Sequence, residues 1–168
     1  MKTAILSKSY PAYMMKIITA LTILLFWILN QNGYAAGAPA TPAQSSTEKR
    51  ADANVHFEEG LKLQEAGNYK GASEKYKRAV QTDATYAEAW SNLGYTYRKQ
   101  GSFKKAVKAY KKAIKLSPNL AEAHEYLGEA YAEMGNFDLA EKELEILRKL
   151  GSDEADELAE FIAKLKAK

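Results

Sequence analysis

The sequence predicts an all-α fold, a solenoid of stacked antiparallel helix pairs, and three observations carry that prediction. A 34-residue spacing recurs over residues 53–154 and brings similar small and large apolar residues to the same offsets, so one supersecondary unit is repeated. Within the units, apolar residues follow the i, i+3, i+4, i+7 order of an amphipathic helix twice over. A glycine separates the two stripes in every unit, at Gly67, Gly101 and Gly135, where it can take the left-handed conformation that ends a helix. One such pair cannot bury its apolar faces alone, so neighbours must stack.

Residues 1–36 read as an export signal. Lys2, Lys8 and Lys16 precede a 13-residue apolar run, Ile17 to Leu29, and no acidic residue occurs before Glu48. A membrane-spanning helix needs about 20 apolar residues, and Asn30, Gln31 and Asn32 end the run with polar groups. Gly33 and Ala35 offer small residues for cleavage after Ala35; the alternative is an uncleaved anchor, since a short helix can be accommodated by local bilayer thinning. Translation is expected to begin at Met14 or Met15, which gives a more compact charged segment. Residues 37–52, with prolines among Ala, Ser and Thr, read as a disordered spacer, with folding expected to begin near Ala51. The chain has no cysteine and no Asn-x-Ser/Thr acceptor, which fits export to a bacterial periplasm.

The three repeats are assigned to residues 53–86, 87–120 and 121–154. The middle one is the clearest: Trp90, Leu93, Gly94 and Tyr97 form the first stripe, and Phe103, Ala106, Val107, Tyr110 and Ile114 the second. Ser117-Pro118-Asn119 then breaks the helix. Small residues at Gly94 and Ala106 suit a close approach of two helix backbones, with Trp90, Tyr97 and Tyr110 filling the space between elements. The first repeat keeps Gly60, Gly67, Tyr69, Ala72, Tyr76 and Ala79, and the third keeps Leu127, Gly128, Tyr131, Gly135, Phe137 and Ala140. This pattern resembles the tetratricopeptide repeat family, which implies a right-handed superhelix of helix pairs. The outer repeats depart from the motif at Glu59, Ala84, Leu144 and Ser152, and Glu59 puts a charge where the motif has an apolar residue. Residues 155–168 complete the reading as a capping helix, with Leu158, Phe161, Ile162 and Leu165 on one side and charged residues elsewhere, giving the stack a polar end.

Charge is unevenly spread. The 24 basic and 21 acidic residues include three lysines of the signal segment, so the remainder is neutral. The second repeat nevertheless has eight Lys and Arg against Glu88 alone, and the third has three against ten acidic residues. Lys104, Lys105, Lys108, Lys111, Lys112 and Lys115 lie on one helix and form a basic face, either solvated and offset by the acidic helix that follows, or a contact for an anionic lipid surface or an acidic protein. Nucleic acid is the least favoured partner, because no interleaved aromatic platform accompanies the lysines.

Resemblance to the family implies that the first helices line a concave groove that binds a peptide segment of another protein. Carried onto this sequence, the groove takes Phe57, Leu61 and Tyr95 as an apolar and aromatic floor, Asn92, Arg98 and Lys99 beside it, and Glu122, Glu125, Tyr126 and Glu129 toward one end. A helical wheel places the glutamates, with Glu133, opposite the buried stripe of His124, Leu127, Gly128 and Tyr131, on an exposed face. Family members that clamp the carboxylate terminus of a chaperone use two Lys, two Asn and an Arg. The corresponding positions here hold Phe57, Leu61, Asn92, Glu122 and Tyr126, so an acidic tail should be repelled.

The residues carry no catalytic constellation. His56 and His124 occupy the motif position held by Trp90, are expected to pack between helices, and lie 68 residues apart without a cysteine, which is no metal-ligand spacing. No nucleophile motif or phosphate-cradling glycine loop is present, and no cofactor is implied. The sequence therefore predicts a non-enzymatic protein-interaction module or assembly scaffold, with electrostatic self-assembly into a homo-oligomer or peripheral membrane contact through the basic face as alternatives.

Overall fold

A computed structural model describes residues 45–167. The signal reading of residues 1–36, its cleavage and start positions, and residues 37–44 of the spacer lie outside the described residues. Seven helices make up the described part: α1 (Ser46–Glu65), α2 (Tyr69–Thr82), α3 (Ala87–Lys99), α4 (Phe103–Leu116), α5 (Ala121–Glu133), α6 (Phe137–Leu150) and α7 (Glu154–Lys166). The pairs α1–α2, α3–α4 and α5–α6 pack internally, α2 meets α3, α4 meets α5, and α7 lies on both α5 and α6. The expected all-α solenoid of helix pairs is therefore present.

The turns inside the pairs follow from the glycines. Gly101 has φ +71°, a conformation costly for a side chain with Cβ. It lets the Ser102 amide donate to the Tyr97 carbonyl at 2.8 Å and the Gly101 amide to Arg98 at 2.8 Å, satisfying carbonyls that the helix end leaves open. The same two bonds recur at Gly67, Gly135 and Gly151.

The expected spacer is corrected at its C-terminal end, because α1 begins at Ser46, well before Ala51. The physical reason is a capping box. The Glu48 amide donates to Ser45 Oγ at 3.2 Å, while the Ser45 amide donates to Glu48 Oε2 at 2.8 Å. Arg50 then anchors this extra turn, pairing with Asp83 and stacking 4.2 Å above the Tyr86 ring.

Two apolar clusters form the core. One gathers Ala53, Tyr76, Ala79, Tyr86, Ala89 and Leu93; the other gathers Tyr110, Leu127, Tyr131, Leu144, Leu147, Leu158 and Ile162. Tyr97 packs against both. Close approach is decisive at Gly94, where an added methyl would lie 2.6 Å from the fully buried Tyr110 ring. At Gly128 the corresponding neighbour is Leu158 of α7, so the last helix docks where the repeat leaves backbone exposed. Glu59, the charged residue in an apolar motif position, stays at the edge of the α1–α2 interface and pairs with Lys75 at 2.5 Å.

Candidate functional site

Tyrosines and glutamates of α3, α5 and α7 meet along one side of the stack. Tyr95 of α3 and Tyr126 of α5 bring their ring centroids to 5.1 Å, and Tyr69 lies 6.2 Å from Tyr95. Arg98 follows Tyr95 by one helical turn, so its guanidinium comes to 5.5 Å from the Tyr95 ring and 5.9 Å from the Tyr126 ring. Its Nη1 donates to Glu133 Oε1 at 3.0 Å, and its Nη2 lies 2.5 Å from Glu129 Oε2. Arg98 is only 5% exposed. A guanidinium so far from water persists because two carboxylates and two aromatic faces surround it.

This placement changes the role expected of Arg98. The residue spans two repeats as a structural ion pair, leaving Lys99, exposed and 5.2 Å from the Tyr95 ring, as the cation that faces solvent there. Asn92 is also buried, and its side-chain amide donates back to the Glu88 carbonyl at 3.1 Å. Phe57 contributes more to the core than to an open floor, with its ring 5.0 Å from Tyr86 and 5.6 Å from Tyr76. Leu61 is half-buried beside it, against the same cluster.

The acidic residues depart furthest from the helical-wheel expectation. Glu125 is 8% exposed and among the described residues makes no hydrogen bond or ion pair, while Glu122 and Glu129 are half-buried; of the four, Glu133 alone is exposed. A wheel counts only the helix's own turns. Here α3 and α7 flank α5, and Glu154 and Glu157 of α7 come within electrostatic reach of Glu125. Burial, followed by repulsion from Glu129, Glu157, Glu154 and Glu122, pushes the Glu125 carboxyl up to about 7. Glu122 is raised by burial, then by Glu154 and Glu88. Burial raises Glu129 as well, against the pull of Arg98. The result is a preorganised group of desolvated carboxyls beside two aromatic rings.

His124 is packed between helices as its motif position implies. Its Nδ1 lies 2.7 Å from Glu143 Oε2 and its Nε2 2.9 Å from the Pro118 carbonyl, and the Glu143 hydrogen bond raises its pKa. Two acceptors on two ring nitrogens favour the imidazolium. His56 is only half-buried, 3.8 Å from Glu59.

The basic face is real but incomplete: Lys104, Lys105, Lys108, Lys111 and Lys115 are exposed on α4, while Lys112 is half-buried. Among the described residues none of the six forms an ion pair, so the acidic helix that follows does not neutralise them directly. Lys105 instead lies 5.7 Å from the Tyr97 ring and Lys111 5.9 Å from the Tyr131 ring.

Comparisons with known proteins agree with this architecture. The TPR repeat family model matches residues 60–101 and 94–135. No curated protein matches the sequence. Among solved structures, the first TPR of Spaghetti (RPAP3) bound to the HSP90 peptide SRMEEVD is 22% identical with a TM-score of 0.64, covering 71% of this chain and 96% of that one. The second TPR domain of human RPAP3 in complex with the HSP70 peptide SGPTIEEVD is 23% identical with a TM-score of 0.63, covering 74% and 100%. The Arabidopsis OM64 TPR domain is 16% identical with a TM-score of 0.64, covering 69% and 98%. These likenesses are of fold. With three helix pairs, a docked final helix and the matched repeats, the chain belongs to the TPR repeat family.

Proposed function

We propose that this protein is an interaction module that captures a peptide segment of a partner protein along α1, α3 and α5, and that it is not an enzyme. The observation that carries this reading is the cluster of half-buried Tyr95 and Tyr126 beside the desolvated carboxyl groups of Glu122 and Glu125, which have no ion-pair partner among the described residues, an arrangement of aromatic anchor and oriented charge typical of binding surfaces. The peptides bound by the RPAP3 domains support peptide capture as a use of this fold. Their acidic ends do not suit this groove, where Glu122 and Glu125 supply negative charge.

The test is selection of a displayed random 12-residue peptide library on the full-length protein, with a Leu61→Glu, Tyr95→Glu double variant as the comparison. Peptides retained by the natural protein and lost by the variant support capture at this face. Binding that is indifferent to both substitutions moves the site elsewhere.

A second reading rests on the opposite helices. Between α2 and α4, Val80, Trp90, Leu93 and Tyr97 line a cleft of about 340 Å³ edged by Lys77, Lys105 and Lys108. With the unpaired lysines of α4, this supports contact with an anionic surface, either a membrane or the acidic repeat of a second copy. Sedimentation with anionic vesicles, and the oligomeric state at low and high salt, separate these outcomes.

The N-terminal segment supports an exported, periplasmic setting. N-terminal sequencing of the mature protein tests it; a chain still beginning before Ile17 would favour the anchor instead.

A further inference from the structure

Glu125 sits where a carboxylate is costly: it is 8% exposed, and among the described residues it has no hydrogen-bond or ion-pair partner. Its surroundings add to the cost, since Glu122 and Glu129 of the same helix and Glu154 and Glu157 of α7 all press negative charge toward it. The buried cation of this region, Arg98, is already committed to Glu129 and Glu133. A fold stabilised only by its own contacts would place an apolar residue or a partner here. Among the described residues this carboxyl is left without a counter-charge of its own.

The missing charge has a definite chemical character. Among the described residues no group of three acidic or histidine side chains converges tightly enough to hold a metal ion. A cation that is long, narrow and partly apolar fits better. Tyr126, the residue after Glu125, is half-buried with its hydroxyl in the field of Glu122 and Glu125 and its ring 5.1 Å from Tyr95, so an aliphatic stem would have an aromatic surface to lie along.

We propose that the acidic notch between α5 and α7 receives one lysine or arginine side chain of the peptide held in the groove, with Glu125 as its main counter-charge. The inference rests on the capture reading and specifies its ligand. Because Glu125 and Glu122 are already desolvated in the unbound protein, the incoming cation gains the attraction without a fresh desolvation cost on the protein side. Affinity then depends on ionisation of Glu125. The groups that act on it directly are Glu129, Glu122 and Tyr126 of α5 and Glu157 and Glu154 of α7; around these neighbours, Arg98, Lys99 and Glu133 act on Glu129, Glu88 on Glu122, and Tyr95 on Tyr126. With the Glu125 carboxyl at about 7, affinity should fall about tenfold between pH 8 and pH 6.

The experiment uses peptides selected from the 12-residue library on the full-length protein, synthesised and titrated by calorimetry. Expected are a shared lysine or arginine, a loss of about tenfold or more when that residue is replaced by norleucine, and an equal loss in Glu125→Gln. Combining the two changes should cost little more than either alone, and Glu125→Gln should abolish the pH dependence. Peptides lost in the Leu61→Glu, Tyr95→Glu variant but lacking a cationic residue, or bound equally by Glu125→Gln, would overturn the notch and leave the capture reading standing. Selection yielding no peptide that depends on Leu61 and Tyr95 would overturn both.

Discussion

Arg98 of α3 holds Glu129 of α5 at 2.5 Å across the boundary between the second and third helix pairs. Because the guanidinium is buried, removing it leaves carboxylates uncompensated in a poorly solvated place. Arg98→Met should therefore cost about 3–5 kcal/mol in urea denaturation. Adding Glu129→Gln and Glu133→Gln to that variant should restore part of the loss, which a purely steric role for the arginine would not allow.

The Glu125 carboxyl predicts a stability change of the opposite sense. Its folded pKa of about 7 lies above that of the unfolded chain, so the neutral acid is favoured by folding and the penalty grows as pH rises between about 4.5 and 7. Glu125→Gln should raise stability by about 1–2 kcal/mol at pH 8 and leave it unchanged near pH 4. Thermal unfolding across that range checks this; equal effects at both pH values would mean the carboxyl is better hydrated than its surroundings indicate.

His124 also lowers stability as pH rises, by losing a favourable charge rather than by acquiring a costly one. Glu143 raises its folded pKa above the unfolded value, so its charged form contributes stability below about pH 6.5, and that contribution is lost as pH rises through the folded pKa. The stability difference between natural protein and His124→Gln should be larger at pH 5.5 than at pH 9, by about 1 kcal/mol. Denaturation at the two pH values measures it.

A side chain at Gly94 forces a shift in the packing, because a methyl there meets the Tyr110 ring at 2.6 Å and the ring is fully buried. Gly94→Ala should cost about 1–3 kcal/mol despite alanine's better helix propensity. Combining it with Tyr110→Leu should recover part of that, as read in chemical denaturation.

The chaperone peptide SRMEEVD, bound by the first TPR of Spaghetti, should not bind this protein. By the family resemblance Glu122 falls at a clamp position that takes a cation, and Glu125, one helical turn on, would add a second repulsive charge. Fluorescence anisotropy with the labelled peptide checks this, and micromolar affinity would show that the groove rearranges around acidic ligands.

Much of the fold was legible in the letters. Glycine at the turns and the spacing of Trp90, Leu93, Gly94 and Tyr97 reflect local geometry, and local geometry repeats with the sequence. The early start of α1 was written there too, as Ser45 followed three residues later by Glu48, but the proline-rich stretch before it masked the capping signal. The site was less legible for a different reason. Whether Glu125 is exposed depends on α3 and α7, which lie about 30 residues away on either side, and no helical wheel includes them. The placement of Arg98 beside the groove floor likewise misses its burial, because its partners, Glu129 and Glu133, belong to the next pair.

The division of the core into two clusters joined through Tyr97 gives the stack a seam between its beginning and its end. Energy in such arrays is carried by each unit and its immediate neighbour, so the α1–α2 pair can open while α5, α6 and α7 remain closed. A ligand reaching from Leu61 to Glu125 would cross that seam and hold it shut. Amide hydrogens of α1 and α2, far from the notch, would then exchange more slowly in the complex.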